Sequence, residues 1–330
     1  MQPLVSMDEI QTAAATLAGV SVRTPLVPFP RVEPSLLVKP ESLQPVGAFK
    51  LRGAYAAMSA LPAAARQIGV VTHSSGNHGQ AVAYAAALLG MPAVVVVPDN
   101  APAVKVAAIR ELGAEIVVSA PGLAARLAAT REIANQRGAV PIPPFDDRRV
   151  IAGQGTVGLE IAADCPGVDL VVVPVGGGGL IAGVATAVRS LRPGAVVIGV
   201  EPELAADARD SLHQGQQVAW PPELTQQTIA DALRVDQVGA LPLRHMLEYV
   251  QDIVTVSEDE IRAAVRRLAL DARLIAEPGG AVAVAACLFR RQELPAAATT
   301  VAVLSGGNID PGMLLDILAE DPSAGPGSGE

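Results

Sequence analysis

Leu170-Val171-Val172-Val173-Pro174-Val175-Gly176-Gly177-Gly178-Gly179-Leu180-Ile181-Ala182 decides how this chain is read. Its first six residues are apolar and mostly β-branched, the pattern of a strand buried on both faces. Four glycines then break the run, and helical spacing resumes over Leu180–Leu191. Glycines at such a junction let several backbone N–H groups crowd round an anion at the positive end of the helix. Two ligands stay open on this stretch alone. One is a phosphate monoester. The other is a dinucleotide, because Gly177-x-Gly179-x-x-Ala182 formally fits that fingerprint and Glu201 ends the next expected strand. A Walker loop is excluded, since no Gly-Lys-Ser/Thr follows.

The same strand–turn–helix unit recurs on both sides. Short apolar runs predict strands at Ile68–Thr72, Ala93–Pro98, Glu115–Val118, Leu170–Val175, Val196–Glu201 and Thr300–Leu304. Helical spacing predicts helices over Gly53–Leu61, Gln80–Leu89, Ala103–Leu112, Leu123–Arg137 and Leu180–Leu191. Such alternation implies an α/β fold with open, mostly parallel twisted sheets flanked by helices, and ligands at the carboxyl edge of the strands. Three strand–helix units in succession predict a small domain over 62–145. The larger domain is then 1–61 with 146–320, and the tail 321–330, which has no apolar pattern, is expected to be disordered.

Composition narrows the class. Of 330 residues half are hydrophobic, so a large core is available. With 24 basic and 33 acidic residues the net charge is −9, which argues against a nucleic-acid or anionic-membrane partner. The longest apolar stretch, 81–97, is broken by Gly90 and Pro92 and reads as helix, turn and strand, not a membrane span. Two cysteines, Cys165 and Cys287, and the lack of an export signal point to the cytoplasm.

Three further segments carry chemistry. Lys50 lies between Phe49 and Leu51, and an apolar setting lowers a lysine's pKa, as an amine that attacks a carbonyl requires. Taken alone, it reads first as a solvated lysine at a helix start, and the segments that follow supply the corroboration it needs. Ser74-Ser75-Gly76-Asn77-His78-Gly79 follows an expected strand and precedes an Ala-rich helix, where free N–H groups cradle a carboxylate. The spacing of His73 and His78 fits no common zinc pattern. Ser305-Gly306-Gly307-Asn308 ends the last Val-rich strand and offers a neutral hydroxyl in a glycine-lined place.

The order Lys50, Ser74–Gly79, Gly176–Gly179, Ser305–Asn308 resembles the pyridoxal-phosphate enzymes of fold type II, the tryptophan-synthase-β type. Within them it looks most like the serine/threonine dehydratase and serine racemase branch. Thr24-Pro25-Leu26, Lys39-Pro40-Glu41, Ile151–Thr156 and Glu277-Pro278-Gly279-Gly280-Ala281 match the same branch, so the likeness runs from about Thr24 to Asp310. It implies two sheets with the cofactor in the cleft between domains, a small amino-acid substrate and a homodimer. By this resemblance Lys50 carries the cofactor's aldehyde and then acts as base. Phe49 lies against the ring, Asn77 bonds the 3-oxygen, Gly176, Gly177, Gly178 and Gly179 hold the phosphate, and Ser305 bonds the ring nitrogen. Ser74, Ser75, Gly76, Asn77 and His78 take the substrate carboxylate. Ser75 also matches the racemase acid/base on the opposite face.

Glu201-Pro202-Glu203-Leu204-Ala205-Ala206-Asp207 resembles the branch's divalent-cation loop, with Glu201, the Ala205 carbonyl and Asp207 on Mg²⁺ or Ca²⁺. Phe145 stands where racemases tend to have Asn and tilts the expectation toward elimination from L-threonine or L-serine. Racemisation of serine or aspartate, dehydration of hydroxyaspartate or of a hydroxyectoine-breakdown intermediate, and a silent amino-acid-binding protein are the rivals.

Overall fold

Alternation along the strand Leu170–Pro174 sends Leu170 and Val172 into one apolar layer and Val171 and Val173 into another. Both faces are therefore covered, as a continuous valine run demands. One layer packs against the helix Pro278–Phe289, and the other against the helices Arg148–Asp164 and Gly179–Leu191. The computed structural model describes residues 3–101 and 103–320, with only the backbone of Val104. The expectation of a disordered tail falls outside the described residues.

Among the described residues ten strands form two sheets. They are β1 (Val27–Pro28), β2 (Ser35–Pro40), β3 (Val70–Thr72), β4 (Ala93–Pro98), β5 (Glu115–Ser119), β6 (Val140–Pro141), β7 (Leu170–Pro174), β8 (Val196–Pro202), β9 (Asp252–Val256) and β10 (Thr299–Leu304). The six-stranded sheet has the order β1-β2-β10-β7-β8-β9, and the four-stranded sheet β5-β4-β3-β6. Every pair is parallel except β1 with β2. Among the described residues no helix is long and apolar enough to cross a membrane.

Some boundaries differ from the sequence reading. Ile68 ends the helix Ala63–Ile68 and is 49% exposed instead of opening a strand. Gly69 separates the two at φ 103°, where a Cβ would lie 2.4 Å from the Pro92 carbonyl oxygen. The helix expected at Gly53–Leu61 is Lys50–Ser59, and that expected at Gln80–Leu89 is Asn77–Leu89. Both chemistry-bearing segments thus begin helices instead of preceding them. The helix expected to reach Leu112 ends at Glu111. Strands β1, β2, β6 and β9 lie outside the expected runs: β1 and β6 are only two residues long, Lys39 and Pro40 interrupt the apolar pattern of β2, and Asp252 and Thr255 that of β9.

The helix Arg148–Asp164 is the spine that fixes the two halves of the site. A Cβ on Gly153 would sit 2.5 Å from the Arg52 carbonyl oxygen, and one on Gly183 2.4 Å from Gly155 N. The Lys50 helix and the tetraglycine helix therefore approach the spine backbone to backbone. Beside this contact lies a buried charge cluster. Arg52 donates to Glu41 (2.7 and 2.9 Å) and Glu160 (2.6 and 2.9 Å), while Lys39 donates to Glu160 (2.6 Å) and Thr24 to Glu41 (2.9 Å). Two cations answer two carboxylates, so none of the charges is left uncompensated.

Candidate active site

Phe49 and Lys50 are placed by β10. An isolated bridge pairs Ala48 with Gly306, and the Phe49 N–H donates to the Ser305 carbonyl (3.1 Å). The start of the Lys50 helix is thereby pinned to the buried Ser305. Lys50 Nζ donates to the Pro144 carbonyl (2.8 Å) and stands 5.0 Å from the centre of the Phe49 ring. Burial lowers its pKa to about 8, against an opposing pull from Glu277. An amine whose charged form is disfavoured in this way holds a usable lone pair near neutral pH.

The Ser74–Gly79 segment is the N-terminus of the helix Asn77–Leu89. Its cap, Gly76, gives no side-chain hydrogen bond, although Gly76 N–H donates to Ser74 Oγ (3.3 Å). Free N–H groups at this end suit a carboxylate. His78 is buried and bonds the Ile142 carbonyl through Nε2 (2.9 Å), so Nδ1 is left without a partner. Burial and then Lys50 push the His78 pKa down to about 3, so the ring is neutral. Ser75 is half-buried in the same turn.

Gly178 is the left-handed cap (φ 84°) of the helix Gly179–Leu191, again with no side-chain cap. Phe145, Leu233 and Pro242 hem the turn in. A Cβ on Gly177 would meet the Phe145 ring at 2.1 Å, and one on Gly178 would meet Pro242 at 2.8 Å. With no side chain capping it, this helix start leaves backbone amides for a bound phosphate. Contacts thus link the four segments: Lys50 bonds the carbonyl of Pro144, the next residue Phe145 packs on the tetraglycine turn, Phe49 N–H bonds Ser305, and Asn308 bonds Asn77 of the carboxylate loop.

Glu201, Ala205 and Asp207 lie elsewhere, at the end of β8. Glu201 accepts from the amides of Ala208 (3.1 Å) and Arg209 (2.8 Å). Both Asp207 oxygens are buried and make no hydrogen bond of good geometry. Burial pushes Asp207 up to about 7, and burial together with Asp207 raises Glu201 well above the usual carboxylate range. A buried carboxylate in need of positive charge fits a cation bound through oxygen, although no cluster of three or more His, Cys, Asp or Glu is found among the described residues.

The sequence reading gives no role to three residues, although it quotes Glu277 and Asn308 within matched motifs. Glu277 is buried and accepts from Asn77 Nδ2 (2.6 Å), and Asn308 donates to Asn77 Oδ1 (2.8 Å). Arg126 is half-buried beside the carboxylate loop, donating to the His73 carbonyl at 3.5 Å. Burial lowers its pKa, Asp236 opposes this, and no carboxylate comes within ion-pair distance among the described residues. One of three arginines on the helix Leu123–Arg137, it reads as a solvated residue, so no sequence signal marked it. Glu277 did stand within a matched motif, where an acid before Pro278 passes for a helix cap.

A model of the pyridoxal-phosphate dependent enzyme family matches residues 18–306. L-threonine ammonia-lyase of Geobacter sulfurreducens is 44% identical over 82% of this chain and 67% of its own length. L-threo-3-hydroxyaspartate ammonia-lyase of Saccharomyces cerevisiae is 40% identical over 85% of each chain. The structure of maize serine racemase superposes with a TM-score of 0.91 at 35% identity, covering 95% of this chain and 97% of that one. With the family model spanning most of its length and the site built as described, the chain belongs to the pyridoxal-phosphate dependent enzymes of fold type II.

Proposed function

We propose that the chain is an ammonia-lyase that converts a 3-hydroxy amino acid, L-threonine or L-serine in the first place, to a 2-oxo acid and ammonia. The observation that carries this reading is the half-buried Lys50, its amine depressed to about 8 and close enough to His78, in the first turn of the helix Asn77–Leu89, to lower that ring's pKa. Pyridoxal phosphate, when bound, supplies an electron sink that acidifies the α-carbon proton of an amino acid. Lys50 takes that proton as general base. The Ser74–Gly79 amides would orient the carboxylate, Gly176–Gly179 would anchor the phosphate, Asn77 would offer an N–H to the ring oxygen, and the Ser305 hydroxyl would bond the ring nitrogen without charging it. Ser75 is assigned the acid/base position that would let racemisation accompany elimination.

Glu201, the Ala205 carbonyl and Asp207 would hold Mg²⁺ or Ca²⁺, which the burial of two neighbouring carboxylates, Glu201 and Asp207, supports. A cytoplasmic homodimer belongs to the same reading and rests on the resemblance alone.

Arg126 favours a second substrate class. A half-buried guanidinium with no ion-pair partner among the described residues, next to the carboxylate loop, suits a second carboxylate on the substrate. A 3-hydroxy dicarboxylic amino acid has such a group. Incubation with L-threonine, L-serine and threo-3-hydroxyaspartate, scoring 2-oxo acid and the opposite enantiomer, tests both readings. Arg126→Met should lower turnover of the dicarboxylate about 10- to 100-fold, the worth of a charge-assisted hydrogen bond, and leave threonine within about threefold. Enantiomer without oxo acid from every substrate contradicts the lyase assignment.

A further inference from the structure

Asn77 has more partners than one cofactor contact needs. Its Oδ1 accepts from Asn308 Nδ2 (2.8 Å), and Asn308 in turn donates to the Val46 carbonyl (2.9 Å). This fixes which end of the Asn77 amide carries the nitrogen. One of the two Nδ2 hydrogens then goes to Glu277 Oε1 at 2.6 Å, leaving a single N–H to the cleft. Glu277 is itself immobilised. Its N–H donates to the Gly306 carbonyl (3.1 Å), and its Oε1 fills the space a Gly306 side chain would occupy, 2.2 Å from an ideal Cβ.

We infer that Glu277 is a positioning residue that acts through Asn77 on the cofactor's ring oxygen, so that the proton state of its carboxyl sets the electronic state of the bound ring. The inference rests on the cofactor assignment above. An ionised carboxylate pulls on the Asn77 hydrogen, polarises the amide and strengthens the remaining N–H as a donor, whereas a protonated carboxyl accepts weakly. The groups facing it set where this change falls. Burial and Asp231 raise Glu277 to about 7, while Asn77, Lys105 and Lys50 hold it down. Lys105 and Asp231 are themselves ion-paired at 2.5 Å, so their two effects arrive together. Protonation would thus change the cofactor environment within the neutral range.

The test is the visible absorption of the holoprotein, titrated from pH 5.5 to 9 in wild type, Glu277→Gln and Asn308→Ala. Wild type should show a spectral transition near neutrality. In Glu277→Gln, which keeps an acceptor for Asn77 but cannot ionise, that transition should vanish or move by at least about one pH unit. Asn308→Ala frees the Asn77 amide and should blunt the same transition even if Glu277→Gln fails to fold. An unchanged midpoint and amplitude in both variants overturns the inference while leaving the cofactor assignment standing. A wild-type protein that takes up no pyridoxal phosphate overturns the assignment itself.

Discussion

Gly177→Ala is the sharpest test of the phosphate turn. The added Cβ would lie 2.1, 2.2 and 2.4 Å from three atoms of the Phe145 ring. Ordinary carbon contacts are about 3.5–4.0 Å, so ring or turn has to move by more than about 1 Å. Phe145 follows Pro143 and Pro144, whose fixed φ angles limit backbone retreat, and Lys50 is hydrogen-bonded to the Pro144 carbonyl. Overpacking of this kind costs about 1–3 kcal/mol. Expressed wholly in cofactor binding, that weakens affinity about 5- to 140-fold. The assay is an absorbance titration of apoprotein with pyridoxal phosphate. Gly194→Ala, whose Cβ would meet nothing within 4 Å, is the control and should bind as wild type. Adding Phe145→Ala to Gly177→Ala removes the obstacle and should recover most of the loss. Wild-type affinity in Gly177→Ala, or no recovery in the double variant, refutes the packing argument.

Two further outcomes follow from the same geometry. Because burial lowers Lys50 to about 8, its neutral fraction rises about tenfold per unit up to that pH and then levels. The rate of cofactor loading should show the same bend, and a rate still climbing tenfold per unit toward pH 10 contradicts it. Arg52→Met leaves Glu41 and Glu160 with Lys39 as their only buried cation, and should cost about 3–5 kcal/mol in urea denaturation of the apoprotein. A loss under about 0.5 kcal/mol shows that the cluster contributes nothing to stability.

Much of the fold was legible because valine runs and glycine breaks follow backbone rules. The run over 170–175 places a doubly covered strand, and four glycines after it place an uncapped helix start. Lys50 and Ser305 were found through order along the chain, and the structure adds the reason they are neighbours, the hydrogen bond from Phe49 N–H to the Ser305 carbonyl. What stayed hidden is polar and long-range. Asn77 and Glu277 are 200 residues apart, and Lys39 and Glu160 are 121 apart, so local pattern carries no sign that they meet. Arg126 shows the same limit, since its exposure depends on how the helix Leu123–Arg137 sits over the carboxylate loop. Strand β2 was lost for a related reason, its buried Lys39 looking like a surface residue until Glu160 is seen opposite.

The assignment of Lys50 as the attacking amine is open to one direct measurement. Holoprotein is reduced with borohydride, digested, and the mass of each lysine-containing peptide recorded. The structure predicts a pyridoxyl-phosphate adduct confined to the peptide that contains Lys50. An adduct on Lys39 or Lys105, or a reduced protein that carries none, contradicts the account at its root.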